Sequence, residues 1–246
     1  MIPVISYHLL TIDRFETTKE VLETNLRRTK VPLELLICDN GSKDPRIIEY
    51  LKSLKPAYLR LNSRNEGISH AQNQLIIRGI GKYIFTAGND IIMEHNWAEE
   101  MIELAEKIPN CGLIGAECGI GQSQPITKKF GIEARWLTPQ MDRIFGAWLF
   151  KRKLVDEIGW AHEMFDVYGL EDSDINARVN IAGFNSCYHP TQKSQHVIWD
   201  WGENTEYRKM KDVSMQKNAA IFGERNNRWH EIGVREPLPP LRDPLS

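Results

Sequence analysis

Apolar, strand-like segments alternate with helix-like segments through the first ninety residues, and this alternation restricts the possible folds more than any other feature. The strand-like segments are PVISYHLL, LELLICD, AYLRLN and KYIFTAGND. Between them, the spacing of apolar residues predicts helices over Arg14–Arg28, Arg46–Leu54 and Ser69–Ile80. Strands and helices that alternate at this interval indicate an α/β fold, with a parallel sheet covered by helices on both faces.

The second half of the chain has a different pattern. FGAWLFKRKLVDEIG predicts a strand that enters a helix, and GLEDSDINARVNIAGFNSCYHP predicts a loop, an amphipathic helix, a stop at Gly183 and another strand. A Gly/Gln/Ser/Pro-rich loop spans 119–125. A last helix is predicted after Trp201, up to Phe222. The four prolines of REPLPPLRDPLS then predict an extended arm or a disordered end.

Composition excludes several classes of function. With 31 basic and 33 acidic residues, the chain has no charge excess that would attract nucleic acid. The four cysteines lack a C-x-x-C pair, which argues against a zinc ribbon or a disulfide framework and favours reduced thiols in the cytoplasm. No stretch approaches the ~20 apolar residues of a membrane span, and the N-terminus lacks the pattern of a signal peptide. We therefore expect a soluble, unsecreted protein of one domain or two fused lobes.

Two acidic loops follow predicted strands, and in parallel α/β sheets ligands bind at the carboxyl ends of strands. In CDNGSKD, Asp39 either makes a strand-ending turn or accepts hydrogen bonds from the N–H edge of a uracil- or guanine-type base, while Gly41 lets a ligand approach the backbone. In TAGNDIIM, Asp90 is either part of ordinary turn chemistry or a metal ligand. These residues alone leave both alternatives open.

Three further motifs have two interpretations each. NEGISHAQN either begins a helix with Ser69 as a simple N-cap or frames a phosphate or nucleotide. The acidic residues of YGLEDSDINAR either complement the dipole of the helix they begin, or include a carboxylate that removes a proton from a hydroxyl. His196 is either a packed histidine or, with Asp90, a ligand of an Mn²⁺-like ion.

The order of these motifs from about Val4 to His196 resembles that of the family 2 glycosyltransferases of the GT-A fold. The resemblance implies a Rossmann-like, mostly parallel sheet flanked by helices, with a smaller mixed subregion on the acceptor side. It also implies transfer of a sugar from a nucleotide diphosphate donor to an acceptor hydroxyl, with Mn²⁺ or Mg²⁺. The implied division is a nucleotide-sugar-binding half (1–110), an acceptor and catalytic half of the same domain (111–202), and a C-terminal helix with a Pro-rich tail (203–246).

The resemblance also assigns roles to individual residues. Asp39 would bind the base, and Thr11 and Arg14 would belong to the first-strand loop that wraps the nucleotide. The full set implied for the nucleotide and donor is Thr11, Arg14, Asp39, Asn65, Gly67, Asn73 and Asn89. The pocket for the donor sugar and the acceptor would be formed by Gly146, Ala147 and Trp148.

The catalytic and metal roles are implied in the same way. Glu171 and Asp172 match the family's ED pair, in which the Asp is generally the base of inverting members. Asp90 matches the last Asp of the metal-binding D-x-D, and His196 matches a late His that completes the metal site in many relatives. The chain departs from D-x-D at Gly88, where the first carboxylate is missing. A cation would therefore depend on Asp90, His196, the donor's diphosphate and water, and it would bind weakly without the donor.

Several alternatives stay open within this interpretation. A UDP-sugar is favoured and a GDP-sugar is the other choice, while the acceptor is a carbohydrate, a lipid-linked molecule or a protein. A retaining transferase and an inactive nucleotide-sugar-binding protein are competing functions. A sugar nucleotidyltransferase ranks low because LLTIDRFETTKE lacks the glycines of a triphosphate loop. Trp136, Trp148, Trp199 and Trp201 either stack on sugar rings or belong to the core or an interface. The oligomeric state is not predicted, and peripheral contact with a membrane needs no spanning segment.

Overall fold

The computed structural model describes residues 2–119, 125–137, 143–197 and 205–237. Its first half contains β1 (Ile5–Thr11), α1 (Phe15–Arg27), β2 (Leu33–Asp39), α2 (Pro45–Ser53), β3 (Tyr58–Leu61), α3 (Ile68–Arg78), β4 (Tyr83–Gly88), β5 (Ile91–Met93) and α4 (Trp97–Lys107). Its second half contains β6 (Cys111–Glu117), β7 (Thr127–Lys129), β8 (Ile132–Trp136), β9 (Ala147–Lys151), α5 (Leu154–Ile158), α6 (Glu171–Ile181), β10 (Asn185–His196) and α7 (Glu206–Ile232).

One sheet runs through both halves in the order β3-β2-β1-β4-β9-β6-β10-β8-β7, with β5 paired to β10. Strands β3, β2, β1 and β4 are parallel to one another. Strand β9 is antiparallel to β4 and β6, and β8 is antiparallel to β10, so the second half is mixed. The predicted α/β class, with a sheet flanked by helices and a mixed subregion, is confirmed.

Apolar side chains cover both faces of the sheet, as the nearly continuous apolar character of its central strands requires. On one face, α1, α2 and α4 contribute Leu22, Ile47 and Trp97 to the main core. On the other face, α3, α5 and α6 contribute Ala71, Leu75, Leu154, Ile158 and Val179 to two smaller clusters. The helices therefore form two layers around the sheet.

Strands β1, β2 and β4 end side by side, which positions the candidate site. Thr11 pairs with Asp39 in register, and Leu10 pairs with Gly88. The loops that carry Asp39 and Asp90 therefore both lie at the carboxyl ends of the strands, as the sequence predicted.

The last helix is longer than the sequence indicated, so the predicted end at Phe222 was wrong. Helix α7 continues to Ile232, because a glycine inside a helix costs only about 1 kcal/mol and contacts beyond Gly223 compensate for it. Trp229 is buried and packs against Phe222 with ring centroids 5.9 Å apart. The helix stops at Gly233, which has φ 76°.

Some sequence predictions fall outside the described residues. They include the stacking roles of Trp199 and Trp201, positions 120–124 of the glycine-containing loop, and the proline-rich tail from residue 238. The predicted boundary near residue 110 falls between α4 and β6. Among the helices that the structure describes, none has the length and apolar character needed to cross a membrane.

Candidate active site

A cleft of about 350 Å³ lies at the carboxyl ends of the parallel strands and is closed on one side by α7. Most of the predicted site residues line it, although they come from distant parts of the chain. They are Thr11, Arg14, Asn65, Asn89, Asp90, Gly146, Trp148, Glu171, Asp172 and His196. The predicted residues that do not line the cleft are Asp39, Gly67, Asn73 and Ala147.

The Asp90 carboxylate lies between the guanidinium of Arg14 and the imidazole of His196. Arg14 Nη1 donates to Asp90 Oδ2 over 3.1 Å, and His196 Nε2 lies 3.8 Å from Asp90 Oδ1. The pairing of β5 with β10 brings His196 opposite Ile91, and the N–H of Val197 donates to the carbonyl of Asp90 over 2.8 Å. The pairing of two strands thus brings together Asp90 and His196, which are more than a hundred positions apart in the sequence.

The metal predicted at this point fits a site with few protein ligands. Within the described ranges, no group of three or more His, Cys, Asp or Glu side chains could hold an ion. Asp90 Oδ1 and His196 Nε2 converge at 3.8 Å and offer one carboxylate and one imidazole. Mg²⁺ and Mn²⁺ commonly bind through one or two carboxylates with substrate phosphates and water, so the pair suits such an ion when a phosphate donor is bound.

Gly88 leaves the space that the Asp90 carboxylate occupies. A Cβ added at Gly88 would lie 2.7 Å from Asp90 Oδ1 and 3.3 Å from a side-chain carbon of Ile91. A larger residue would therefore push the carboxylate away from its observed position. The missing side chain is thus part of the geometry that orients Asp90.

Asn89 and Thr11 belong to one small hydrogen-bonded cluster. The amide of Asn89 donates to the hydroxyls of Thr11 and Thr18 over 3.2 and 2.9 Å, and the two hydroxyls lie 3.2 Å apart. The cluster fixes the end of β1 against the loop after β4. It presents amide and hydroxyl groups beside Asp90.

Asp39 is bound by its own loop. Its carboxylate accepts hydrogen bonds from the N–H groups of Gly41 and Ser42 over 3.3 and 3.0 Å, and from the Ser42 hydroxyl. Burial raises the pKa of Asp39, and the hydrogen bonds from Ser42 oppose that shift. Gly41 has φ 92°, and a Cβ there would meet the backbone of Arg64 at 2.6 Å. The close approach predicted for Gly41 is therefore made by this chain's own backbone.

The other three residues outside the cleft wall have structural contacts. The amide of Asn73 donates to the Ala161 carbonyl over 2.9 Å and to Glu163 over 3.0 Å, and it accepts from the Ala161 N–H. Gly67 precedes α3 and donates to the Asn65 side chain over 3.0 Å. Ala147 is fully buried in β9. The side chain of Asn73 therefore links α3 to the segment at 161–163, and its predicted role at the nucleotide or donor stays a prediction.

Glu171 and Asp172 are the first two residues of α6, and both line the cleft. Burial, together with the adjacent Asp172 carboxylate, raises the pKa of Glu171 to about 8. Asp172 accepts a hydrogen bond from the Ser173 N–H over 2.7 Å and lies 4.0 Å from the guanidinium of Arg143. Asp172 is thus held by polar contacts at the start of α6, whereas burial governs the pKa of Glu171.

Helix α7 holds the loop that leads into this pair. Ser214 and Asn218 are buried on α7 and bind the backbone of Asp166, Tyr168 and Gly169 over 2.7 to 3.0 Å. The third acidic residue of the segment, Asp174, faces away from the cleft into the interface between α6 and α7. Of the two roles considered for the acidic residues of this segment, Asp174 therefore has the structural one.

The sequence prediction missed the contribution of α7 to the cleft wall. Tyr207, Lys211 and Met215 line the cleft at intervals of four residues, which places them on one face of the helix. That stripe was visible in the sequence as a mixed aromatic, basic and apolar face. Arg143 and Tyr168 also line the cleft and were missed, because no pattern marks loop residues of this kind.

A comparison with known proteins identifies the family. The family model described as "Glycosyl transferase family 2" matches residues 8–159, more than half of the 246-residue chain. The chain belongs to glycosyl transferase family 2. This family 2 chain is 25% identical over 138 residues to the glucosyl-dolichyl phosphate glucuronosyltransferase of Haloferax volcanii, a match that covers 55% of the chain and 44% of the relative.

Solved structures of glycosyltransferases share the fold of this family 2 chain. The mannosyltransferase PcManGT from Pyrobaculum calidifontis, in complex with GDP-Man and Mn²⁺, has a TM-score of 0.63 and 18% identity, with coverage of 90% of this chain and 65% of that one. GalNAc-T7 with UDP, GalNAc and Mn²⁺ has a TM-score of 0.62 and 15% identity, with coverage of 95% of this chain and 57% of that one. The GT-A fold that the motifs implied is thereby confirmed.

Proposed function

We propose that this family 2 chain is a metal-dependent glycosyltransferase that moves a sugar from a nucleotide diphosphate donor, preferably a UDP-sugar, to an acceptor hydroxyl with inversion. One observation carries the proposal: Asp90, His196 and the Glu171–Asp172 pair all line a single cleft. Sugar transfer needs a group that stabilises the leaving diphosphate and a base on the acceptor side. The cleft offers candidates for both.

In this mechanism Asp172 accepts the proton of the acceptor hydroxyl while the hydroxyl oxygen attacks the anomeric carbon of the donor sugar. The bond between that carbon and the diphosphate oxygen breaks, and its electron pair stays on the diphosphate. Arg14, which contacts Asp90, adds positive charge on the side where the leaving group departs. A Mn²⁺ or Mg²⁺ held by Asp90 and His196 would supply Lewis-acid stabilisation of the diphosphate.

Glu171 has a separate role in the proposal. Because its pKa is raised to about 8, it keeps its proton at neutral pH and offers a hydrogen-bond donor beside Asp172. A protonated neighbour leaves a single negative charge on the pair, so that Asp172 can act as the base. Two adjacent carboxyls in unlike environments are a common way to separate acid and base roles.

The remaining assignments follow the same plan. Asn65, Asn89 and Thr11 contact the nucleotide or donor from the wall of the cleft, and Gly146 and Trp148 shape the pocket for the sugar and acceptor. Asp39 binds the base through the loop that its carboxylate organises. We place Gly67, Asn73 and Ala147 behind this wall, as supports of the residues that line it.

The relatives support this proposal at the level of substrate class. The names of two structural neighbours include a nucleotide or nucleotide sugar and Mn²⁺, and the Haloferax relative is named for a reaction on a dolichyl phosphate. A lipid-linked acceptor therefore stands beside carbohydrate and protein acceptors, and a cytoplasmic enzyme that contacts the membrane peripherally is consistent with such a substrate. A retaining transferase and an inactive nucleotide-sugar-binding protein are the competing functions.

Thermal shifts measured with UDP-, GDP- and dTDP-sugars, each with and without Mn²⁺, test the proposal. A ligand at a hundred times its dissociation constant stabilises the folded state by about 2.7 kcal/mol, which corresponds to a rise of roughly 5–10 °C in a chain of this size. We expect the largest rise with a UDP-sugar and Mn²⁺. Absence of any rise with every nucleotide and metal combination contradicts the proposal.

Asp172→Asn separates binding from turnover in the same assay. The variant should keep the nucleotide-dependent thermal shift, since the amide has the same shape, and should lose donor turnover by roughly 100- to 10,000-fold. Asp156→Asn, at the start of α5, is a matched control that should retain both properties. Equal turnover in Asp172→Asn and the wild type would favour the inactive or differently catalysed alternatives.

A further inference from the structure

Lys211 is a buried cation in the wall of the cleft. It lies on α7, is only 7% exposed, and its Nζ lies 4.6 Å from the ring centre of Tyr168 and 4.7 Å from that of Tyr207. Removing an ammonium group from water is unfavourable, and cation–π contacts offset part of that effect. The two rings therefore hold a positive charge at a position where an apolar side chain would be less costly.

The cation of Lys211 belongs to a continuous row of side chains. The Tyr207 ring also lies 5.5 Å from the guanidinium of Arg14, which in turn donates to Asp90. We call Arg14, Tyr207, Lys211 and Tyr168 the cation row. It runs along the cleft wall from Asp90 to the loop before Glu171 and places two positive charges within 5.5 Å of the centre of one tyrosine ring.

The sequence position of Lys211 is independent of the family match. The family model matches residues 8–159, whereas α7 spans Glu206–Ile232. The helix is fixed over the cleft by buried hydrogen bonds from Ser214 and Asn218 to the loop before Glu171. Lys211 thus lies on a helix outside the residues that the family model matches.

We propose that Lys211 binds the diphosphate of the donor and stabilises it as it leaves, an inference that rests on the proposed function. A lysine ammonium donates up to three hydrogen bonds and binds phosphate as a compact charge. Arg14 fixes one end of the row beside Asp90, where the diphosphate lies in the proposed mechanism. Because Gly88 supplies no carboxylate, a metal would be held less firmly at the diphosphate. Lys211 then neutralises part of the negative charge of the diphosphate.

Lys211→Met is the variant that tests this role. Methionine keeps an unbranched side chain against the two rings and removes the charge. Isothermal titration with UDP, UMP and uridine, or with the guanosine series if the wild type prefers it, gives the dissociation constants. We expect UDP to bind about 10- to 100-fold more weakly, UMP to be affected less, and uridine to bind as in the wild type, because the lost charge acts on phosphate.

Lys209→Met is the matched control on the same helix. Its ammonium is 56% exposed and pairs with Glu206, so its removal should change UDP affinity by less than twofold. Lys211→Arg should recover most of the UDP affinity because it restores the charge. Lys211→Gln provides a second uncharged side chain should the methionine variant not fold.

The outcomes separate this inference from the proposed function. If the wild type binds none of the nucleotides, the proposed function fails. If the wild type binds UDP and Lys211→Met binds it equally well, the inference fails while the proposed function stands. Equal weakening of UDP and uridine would assign Lys211 a purely structural role and would also overturn the inference.

A measurement on the wild type keeps the test decisive if both uncharged variants fail to fold. Hydrogen exchange of the amides in 206–215 should slow when UDP binds, and it should be unchanged by uridine at equal occupancy. Equal protection by the two ligands would contradict a contact between α7 and the diphosphate.

Discussion

At the scale of single residues, the adjacent carboxyls of Glu171 and Asp172 occupy different environments. Glu171 lines the cleft and is half-buried by surface area, and burial opposes its ionisation and raises its pKa to about 8. Asp172 accepts hydrogen bonds from Ser173 and lies near Arg143. The two adjacent carboxyls therefore have different neighbours although they are consecutive in the chain.

The raised pKa of Glu171 makes stability depend on pH in a defined direction. Between about pH 4.5 and pH 8 the unfolded chain releases this proton while the folded chain retains it. The free energy of unfolding therefore falls as pH rises through this window, and the contribution is constant above pH 8. Glu171→Gln removes the cost of ionising the buried group, so its melting temperature should exceed that of the wild type increasingly from pH 5 to pH 8.

A thermal melt series from pH 5 to pH 9 measures this difference. Each kcal/mol corresponds to about 2–4 °C for a chain of this length. Glu206→Gln is the control, because Glu206 occupies the first turn of α7 and its side chain is 92% exposed. A Glu171→Gln melting temperature that differs from the wild type by the same amount at every pH would contradict the burial of this carboxyl.

At the scale of elements, α7 connects the catalytic side of the cleft to the end of the described chain. Asp174 of α6 is fully buried and accepts from Arg178 Nε and from Arg225 Nε, each over 2.7 Å. Arg225 also binds Glu236 over 2.8 Å, and Glu236 binds His162 over 2.7 Å. This network ties α6, α7 and the segment after α7 together behind the Glu171–Asp172 pair.

Asp174→Asn should destabilise the protein strongly. It leaves two buried guanidinium groups facing a neutral amide, and removal of one partner from a buried ion pair costs about 3–5 kcal/mol. Denaturant unfolding should therefore show a lower midpoint, and the melting temperature should fall by roughly 10 °C. At a temperature where the variant is folded, the free energy of nucleotide binding should change less than the free energy of unfolding.

The control for this variant makes the same chemical change at the surface. Glu224→Gln, which also turns a carboxylate into an amide, alters an i,i+4 pair with Arg228 on α7, in which the Glu224 and Arg228 side chains are 71% and 50% exposed. Such pairs contribute about 0.3–0.5 kcal/mol, so the melting temperature should change by less than about 2 °C. Equal effects of the two substitutions would contradict the role of Asp174 as the centre of the network.

At the scale of the whole molecule, the four thiols sample different depths of the fold. Cys38, Cys111 and Cys187 are buried and Cys118 is half-buried, and all four lie within the described ranges as thiols. Burial raises the pKa of Cys38 and of Cys111 to about 12 and also raises that of Cys187. A thiol must ionise and be accessible to react, so these three are protected by the global fold.

The reagent DTNB should therefore modify one thiol per native chain rapidly, and four in denaturant. The remaining three should react at the rate of global unfolding, because their exposure requires the core to open. Cys118→Ser should remove the rapid phase and leave the slow one. Two or more rapidly modified thiols in the native protein would contradict the packing of the sheet.

The elements that the sequence predicted well are those in which local signals and burial agree. LELLICD became β2 without change, and helices α1, α2 and α3 begin and end within about two residues of their predicted limits. Helix α4 and strands β5 to β8 were not predicted. Strands β5 and β7 have three residues each, and short strands of this kind are defined by their partners.

The sequence by itself determined the α/β class, the acidic loops at the strand ends and the order of motifs that marks family 2. These features depend on periodicity, turn chemistry and composition, which are local. Only the tertiary structure decided which candidates share the cleft, because strand register and helix packing join distant residues. Asp90 contacts Arg14 and His196, whereas Asn73 donates to the carbonyl of Ala161. Lys211 lines the cleft because buried contacts hold α7 against the loop before Glu171.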